Sequence, residues 1–208
     1  TELPNLLHDV LDQARPKAIR LEQDILVPLT AHRKVSYYET SEFWCQVKTA
    51  NSAITANRLY LEDDLYRHSS HLSISTSCHT DGAVFVDPKS VISGTARLGP
   101  NVFIGPNCTI EDGVRIKDSI ILPGSHIKAN SLVVNSIVGW DSIVGAWCRI
   151  EGAPDNATSD SITLNGIKMP SITVLGGSVE VADEKVIRNC IVLPHKDLHR
   201  SYQNEILL

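Results

Sequence analysis

The fold of this chain is decided by residues 86–116, which read VDPKSVISGTARLGPNVFIGPNCTIEDGVRI. A period of six does not keep side chains on one face of an α-helix, and a β-sandwich would show simple alternation in strands of irregular length. Repeats of fixed length indicate a solenoid instead. The aliphatic residues that set the period are Val86, Ile92, Leu98, Ile104, Ile110 and Ile116.

The same period continues toward the C-terminus after two slips of one residue. It resumes at 121, 127 and 133, then at 138, 144 and 150, and after an interruption at 175, 181 and 187. Similar five-residue segments occur at both slips and in the last coil, namely DSIIL at 118–122, NSIVG at 135–139 and NCIVL at 189–193. We interpret each segment as a corner that is one residue shorter than the corners of the regular six-residue repeat. The pattern predicts one continuous β-helix over residues 84–152 and 171–193.

Two further positions keep the period. Small or β-branched residues such as Ala96, Cys108 and Ser125 stand four after an aliphatic, and glycine or an acid often stands one after it, as at Gly105 and Glu111. We expect the small residues at corners and the glycines to supply positive φ angles there. This pattern resembles the hexapeptide repeat of the left-handed parallel β-helix, in which three hexads form a triangular coil with the aliphatics inside. The predicted fold is therefore mainly β.

Bulk composition excludes several classes of function. The formal net charge is -5, so the chain has no excess of basic residues with which to bind nucleic acid or an anionic membrane. No apolar run approaches the roughly 20 residues that span a bilayer. The five cysteines are widely spaced and include no CxxC pair, which favours neither disulfides nor zinc and suits a reducing cytoplasm.

The region before the repeat has a different pattern. Residues 6–14 and 19–29 predict helices, 35–38 and 43–47 predict short strands, and Thr49 is the expected N-cap of a helix to about residue 61. Such a piece lacks a sheet to pack against, so it is interpreted as the end of a larger α/β domain. The expected domains are a remnant at 1–66, a serine-rich linker at 67–81, and a β-helix with a C-terminal tail at 82–208.

Several stretches resemble the GDP-mannose pyrophosphorylase (mannose-1-phosphate guanylyltransferase) family, and within it the C-terminal part of alpha-type subunits. The resemblance runs over almost the whole chain and is weakest in the linker. It implies that the α/β remnant is the tail of a nucleotidyltransferase domain. The matching stretches are IRLEQDIL at 19–26, FWCQVK at 43–48, NRLYL at 57–61, SIVGWDSIVG at 136–145 and IVLPHK at 191–196.

The resemblance also implies that the nucleotide-binding half of the protein precedes residue 1. No catalytic or cofactor-binding residue is assigned to this chain, and Mg²⁺ with GTP or GDP-mannose is expected only with that missing half. Catalytic members carry FWxDxG, whose Asp helps to hold Mg²⁺ through hard carboxylate oxygens. Here the Asp position is occupied by neutral Gln46, and Lys48 replaces the glycine. This departure resembles a regulatory alpha subunit.

Rival interpretations remain open. The parent protein could itself be a guanylyltransferase that uses GTP, Mg²⁺ and mannose 1-phosphate. A hexapeptide acyltransferase would use a histidine base such as His126 or His195, for which the sequence offers no partner acid. Related exchange-factor subunits of translation initiation end in a further helical domain. A metal cluster at His68, His71, Cys78 and His79 lacks tight ligand spacing and is disfavoured.

The predicted partners are a second copy of the chain and a beta-type catalytic subunit, with no nucleic acid and no membrane. Residues 153–170 interrupt the repeat, and a long patternless loop in a compact solenoid is often functional. In the alpha subunits that the chain resembles, an insertion at this place faces the beta subunit, although the one here is shorter. The interface candidates are Trp140, Trp147, Asp155, Asn156 and Met169.

Overall fold

A computed structural model gives the structure of the chain and describes residues 20–31, 35–67, 78–153, 163–164, 167–168 and 172–208. The chain divides into two compact units, Thr1–Phe43 and Trp44–Leu208. The predicted helix at 6–14 lies outside the described residues, and so do most residues of the predicted linker.

Among the described residues, three helices precede the repeat. They are α1 (Leu21–Leu26), which has π-type hydrogen bonds, α2 (Val27–Ala31) and α3 (Ala50–Arg67). The predicted N-cap is confirmed, because the Ser52 amide donates to Thr49 Oγ1 over 3.3 Å and the Thr49 amide donates to Ser52 Oγ over 3.0 Å. This reciprocal pair starts α3 at the expected residue, and the helix runs one and a half turns further than predicted.

The two strands predicted before α3 are wrong. Residues 35–38 and 43–47 form no strand, and Tyr37 and Tyr38 are 89% and 90% exposed. β-branched and aromatic residues favour strands only where a pleated, half-buried surface receives them. The described part of the chain offers these segments no such surface.

The repeat folds into short strands, none longer than three residues. In chain order they are β1 (His79–Thr80), β2 (Val84–Val86), β3 (Val91–Ile92), β4 (Arg97–Leu98), β5 (Val102–Ile104), β6 (Thr109–Ile110), β7 (Arg115–Lys117), β8 (Ser119–Ile121), β9 (His126–Ile127), β10 (Leu132–Val134), β11 (Ser136–Val138), β12 (Ile143–Val144), β13 (Arg149–Glu151), β14 (Thr163–Leu164), β15 (Ile167–Lys168), β16 (Thr173–Leu175), β17 (Glu180–Val181), β18 (Val186–Arg188), β19 (Ile191–Val192), β20 (Asp197–Leu198), β21 (Tyr202–Gln203) and β22 (Ile206–Leu207).

Three parallel sheets form the sides of the solenoid. Sheet A has the order β1-β4-β7-β10-β13-β18-β21, sheet B the order β2-β5-β8-β11-β16-β19-β22, and sheet C the order β3-β6-β9-β12-β17-β20. Each strand pairs with its equivalents one coil away, about 4.8 Å distant. This arrangement confirms the predicted fold, a mainly β left-handed parallel β-helix of hexapeptide repeats. The strands continue past the last predicted hexad, to Leu207.

The aliphatics of the six-residue series fill the interior. Leu98 pairs with Ile116, eighteen residues on, whereas Ile104 pairs with Ile121, seventeen residues on. The shorter coil is the predicted slip, and the dropped residue leaves Asp118 alone at the corner with a φ of 44°. Only the aliphatics of the first coil, such as Val86, are incompletely buried.

Buried hydroxyls link successive coils at the corners. The Ser131 hydroxyl donates to the Gly145 carbonyl over 2.7 Å and accepts the Cys148 amide over 3.0 Å. The Ser142 hydroxyl bonds in the same way to Gly176 and Val179. A small residue at this position therefore does more than fit a corner, because its hydroxyl satisfies buried backbone groups of the next coil.

The expected role of the glycines needs correction. Among those that follow an aliphatic, Gly99 has a positive φ of 109°, but Gly139 does not adopt that region. A Cβ on Gly139 would lie 2.3 Å from the Gly176 carbonyl oxygen, so close stacking of the coils excludes a side chain there. The positive φ angles fall mainly on Asn and Asp, as at Asn101 and Asn189, which tolerate this region better than other residues.

Helix α3 packs against the outside of sheet B, where it contacts β8. Leu61 of the helix is only 1% exposed. The outward residues of sheet B form a row of apolar side chains, in which Phe85 and Phe103 stack with ring centroids 5.1 Å apart. By strand register the row is Phe85, Phe103, Ile120, Ile137, Val174, Ile191 and Ile206.

A charge in the interior should unfold the solenoid. Ile104 is fully buried, so Ile104→Asp removes about 1.5–3 kcal/mol of burial and adds the larger cost of an unpaired buried carboxylate. Denaturant titration should show the free energy of unfolding lowered by several kcal/mol. The control is Val91→Asp, because Val91 lies on β3 but faces outward and is exposed. Equal loss in both variants would contradict an interior role for the six-residue series.

One corner should be stabilised by substitution. Trp147 adopts a φ of 60°, a region that costs an L-residue with a large side chain about 1–2 kcal/mol and that Asn tolerates. We expect Trp147→Asn to raise the free energy of unfolding by about 1 kcal/mol. Trp140→Asn is the control, since Trp140 is an exposed corner residue outside the positive-φ region. A destabilised Trp147→Asn variant would count against this account.

Candidate functional site

The segment that the resemblance compares with a Mg²⁺ site is open to solvent. Gln46 is exposed and carries no charge, and Lys48 beside it is exposed as well. The Lys48 amide donates to Ser52 Oγ over 3.1 Å, which ties this segment to the first turn of α3. A site of this kind supplies no anion to a divalent cation. The assignment of Gln46 to that position stays a prediction.

No other metal site is evident in the part of the chain that the structure describes. Within that part, no three His, Cys, Asp or Glu side chains are grouped in a way that could hold an ion. Of the disfavoured histidine and cysteine cluster, His79 is exposed on β1 and Cys78 is half-buried next to it. His68 and His71 lie outside the described residues.

The structure pairs one of the two candidate bases with an acid. His126 Nε2 lies 2.6 Å from Glu111 Oε1, and Glu111 Oε2 accepts the Ala129 amide over 2.9 Å. The pair joins a strand of sheet C to the corner one coil earlier, and both side chains are about one-third exposed. The sequence does not reveal Glu111 as the partner of His126, because the contact becomes visible only once the coil length is known. His195 instead occupies an exposed corner with a φ of 60°.

The described interface candidates are two exposed tryptophans on one coil. Trp140 is 58% exposed and Trp147 is 65% exposed, and they occupy the corners at the two ends of β12. The Trp140 ring lies over the next coil, since a Cβ on Gly177 would be 3.9 Å from Trp140 Cε3. Large aromatic rings left in solvent at neighbouring corners form a natural contact surface for a partner.

The interrupting loop leaves from the third corner of the same coil. It follows Gly152 and returns at Ile172, and β16 then pairs with β11 in the register of the other sheet B strands. Within the loop, β14 and β15 form an antiparallel pair. The remaining interface candidates, Asp155, Asn156 and Met169, lie outside the described residues. We name residues 136–153, whose three corners carry Trp140, Trp147 and this loop, the tryptophan coil.

A membrane-spanning element is not found among the described helices, none of which is both long enough and apolar enough to cross a bilayer.

Comparison with known proteins identifies the relatives of the chain. The model of the family described as GMPPB C-terminal domain matches residues 80–207. Mannose-1-phosphate guanylyltransferase regulatory subunit alpha-B of Danio rerio is 46% identical in an alignment of 204 positions that covers 93% of this chain and 48% of that protein. A probable mannose-1-phosphate guanyltransferase of Schizosaccharomyces pombe is 39% identical over 95% of this chain and 49% of that protein.

Among solved structures, a GDP-perosamine N-acetyl transferase from Caulobacter crescentus is 17% identical, with a TM-score of 0.29. The match covers 71% of this chain and 60% of the transferase, and at this score it does not bear on function.

The chain spans about half the length of the curated relatives that it matches. The matched family model nevertheless covers most of the chain, including every coil of the β-helix. The resemblance found in the sequence is thereby confirmed, and the chain belongs to the family of the GMPPB C-terminal domain.

Proposed function

We propose that this chain is the C-terminal part of a regulatory alpha-type subunit of mannose-1-phosphate guanylyltransferase, the enzyme that forms GDP-mannose. The observation that carries the proposal is the 46% identity, over 93% of the chain, to a relative named as a regulatory subunit. In this proposal the β-helix supplies an assembly surface, through which the parent pairs with itself and with a catalytic beta-type subunit in the cytoplasm. The five cysteines form no disulfide, which suits that reducing compartment.

The lack of a charged metal ligand supports a regulatory rather than a catalytic role. Transfer of a nucleotidyl group develops negative charge on phosphate oxygens, which a divalent cation held by carboxylates neutralises. Gln46 offers a neutral amide in place of the carboxylate, and the nearby Lys48 cation disfavours a second positive charge. These two changes weaken a Mg²⁺ site in the same direction.

The tryptophan coil supports a role in assembly. A solenoid offers extended faces for partners. Because its interior residues hold the coils together, the residues at its corners can vary. Here Trp147 retains an unfavourable φ of 60° and an exposed ring, although an Asn in the same place would relieve the backbone. A tryptophan that costs backbone energy at an exposed corner is explained if its ring is buried against a partner.

A catalytic parent is the second candidate. It is favoured by the 39% identity to the Schizosaccharomyces pombe relative, which is named as a probable guanyltransferase itself. The two candidates differ in one measurement, the guanylyltransferase activity of the intact parent without any other subunit. Activity in that assay would favour the catalytic parent, and the position of Gln46 would then need another ligand to compensate.

The isolated 208-residue chain should not bind GTP in the presence of Mg²⁺. Gln46 supplies no charge, and the sequence contains no glycine-rich loop to hold phosphates. Isothermal calorimetry of the chain with GTP, with and without Mg²⁺, should show no saturable heat. Micromolar, Mg²⁺-dependent binding would contradict the proposal that this part of the protein is non-catalytic.

Removal of both exposed rings should weaken assembly with a beta-type subunit. In the intact parent, the double variant Trp140→Asn with Trp147→Asn should lower the affinity at least about tenfold, because buried aromatic anchors dominate interface energies. Surface plasmon resonance with the beta-type subunit provides the measurement. Tyr60→Ala is the control, since Tyr60 is an equally exposed aromatic residue on α3.

A deletion in the intact parent tests the role of the interrupting loop. Removing residues 154–169 deletes no residue of the six-residue series, so folding should be preserved. If the loop projects toward the partner, the deletion should change how the catalytic subunit responds to GDP-mannose. A deletion variant that co-purifies with the beta-type subunit and leaves product inhibition unchanged would remove the loop from the regulatory mechanism.

A further inference from the structure

Two arginines lie side by side on the outside of sheet A. Arg97 of β4 is the register partner of Arg115 of β7, and both are exposed. Register partners on neighbouring parallel strands are about 4.8 Å apart, so the two guanidinium groups project from adjacent points. Lys117 adds a third cation on the same face of β7, and its ammonium lies 3.9 Å from Asp118 Oδ2.

The two arginines have no acidic partner in the part of the chain that the structure describes. No carboxylate there forms an ion pair with Arg97 or Arg115. Like charges directly opposite each other across a sheet are destabilising. The pair therefore costs stability unless something outside the described chain neutralises it.

The same sheet holds two other arginines that an acid neutralises, since Glu151 of β13 is the register partner of Arg188 on β18 and shares its strand with Arg149. Glu151 Oε1 accepts a hydrogen bond from Arg149 Nε over 2.8 Å, and Glu151 Oε2 accepts one from Arg188 Nη2 over 2.6 Å. Burial raises the pKa of Glu151, but the hydrogen bonds and charges of Arg188 and Arg149 outweigh that effect and hold the pKa below its usual value. One acid thus serves the arginines of two neighbouring strands. No equivalent of Glu151 serves Arg97 and Arg115 among the described residues.

Apolar side chains adjoin the unneutralised arginines. Leu132 and Val134 of β10 are the register partners of Arg115 and Lys117, and both are half-buried on the outer face of the sheet. We name Arg97, Arg115, Lys117, Leu132 and Val134 the arginine face. Its residues lie on a side of the solenoid that is formed by a sheet, whereas sites for small molecules are concave and enclose their ligands. The shape therefore suits an extended macromolecular partner.

We propose that the arginine face docks an acidic segment of a partner protein, whose carboxylates pair with Arg97 and Arg115 while an apolar side chain rests on Leu132 and Val134. Planar guanidinium groups bind carboxylates through paired hydrogen bonds, which gives geometry as well as charge. A long polyanion is disfavoured because the chain as a whole carries a net charge of -5 and would repel it beyond this patch. This docking is independent of the proposed regulatory function and of the tryptophan coil.

The test uses the full 208-residue chain and a fluorescein-labelled peptide in which glutamates flank a single leucine. Fluorescence anisotropy at low ionic strength should show saturable binding that weakens as salt is added. The double variant Arg97→Glu with Arg115→Glu should bind at least about tenfold more weakly. The conservative pair Arg97→Lys with Arg115→Lys should retain part of the affinity, because it keeps the charges and loses the paired hydrogen bonds.

A charge-matched control separates the arginine face from bulk charge. Lys89→Glu with Lys196→Glu makes the same change in net charge at corners of the solenoid away from sheet A, and it should leave binding unchanged. Equal loss in this control would overturn the proposal. Thermal melting supplies a second readout, since Arg97→Gln should raise the melting temperature by removing the like-charge pair. An unchanged or lowered melting temperature would overturn the argument from repulsion.

Two further probes address other anionic partners. Labelled single-stranded RNA and vesicles containing phosphatidylserine should bind more weakly than the acidic peptide. If either binds more tightly, and loses that binding in the variant Arg97→Glu with Arg115→Glu, then the arginine face serves a polyanion and the proposal of an acidic protein segment is overturned.

Discussion

The stacking of each coil on the next is the constraint on which the rest of the structure depends. A strand of two or three residues buries nothing alone, and the interior of one coil becomes dry only when equivalent aliphatics lie above and below it. Seventeen- and eighteen-residue coils can alternate because the corner absorbs the difference while the strands keep their register, as the pairs Ile104–Ile121 and Leu98–Ile116 show. Glycines that admit no Cβ and serines that bond to the next coil serve the same requirement.

The same requirement explains which features could be predicted from sequence. The hexads and slips are local and periodic, so Ile110 and Ile127 are found inside as expected. The partner of His126 could not be predicted, because Glu111 becomes its neighbour only through the coil length. The strand predicted from residue propensities at 35–38 is wrong, because no described surface receives the side chains there. Of the candidate site, Trp140 and Trp147 are exposed, and their role in an interface stays a prediction. The positive φ of Trp147 is not visible in the sequence.

Because the interior follows one rule throughout, the three outer sides can differ. The side formed by sheet B is apolar and receives α3, whose Leu61 is buried. The side formed by sheet A carries arginines, some neutralised by Glu151 and some not. Sheet C has the exposed tryptophans at the ends of β12. One scaffold thus presents an internal packing surface, a charged surface and an aromatic surface, as the proposed role in assembly requires.

The interrupting loop has a consequence for how this family can change. A Cβ on Gly152 would lie 2.7 Å from Ile172 Cα, so the loop begins and ends at nearly the same point. The solenoid already holds those two ends together through its own register, and the entropy of closing a loop grows only with the logarithm of its length. Insertions of very different sizes can therefore be exchanged at this corner with little effect on stability. Relatives can acquire, shorten or lose an arm here without redesigning the body of the protein, and a foreign peptide could be grafted at the same point.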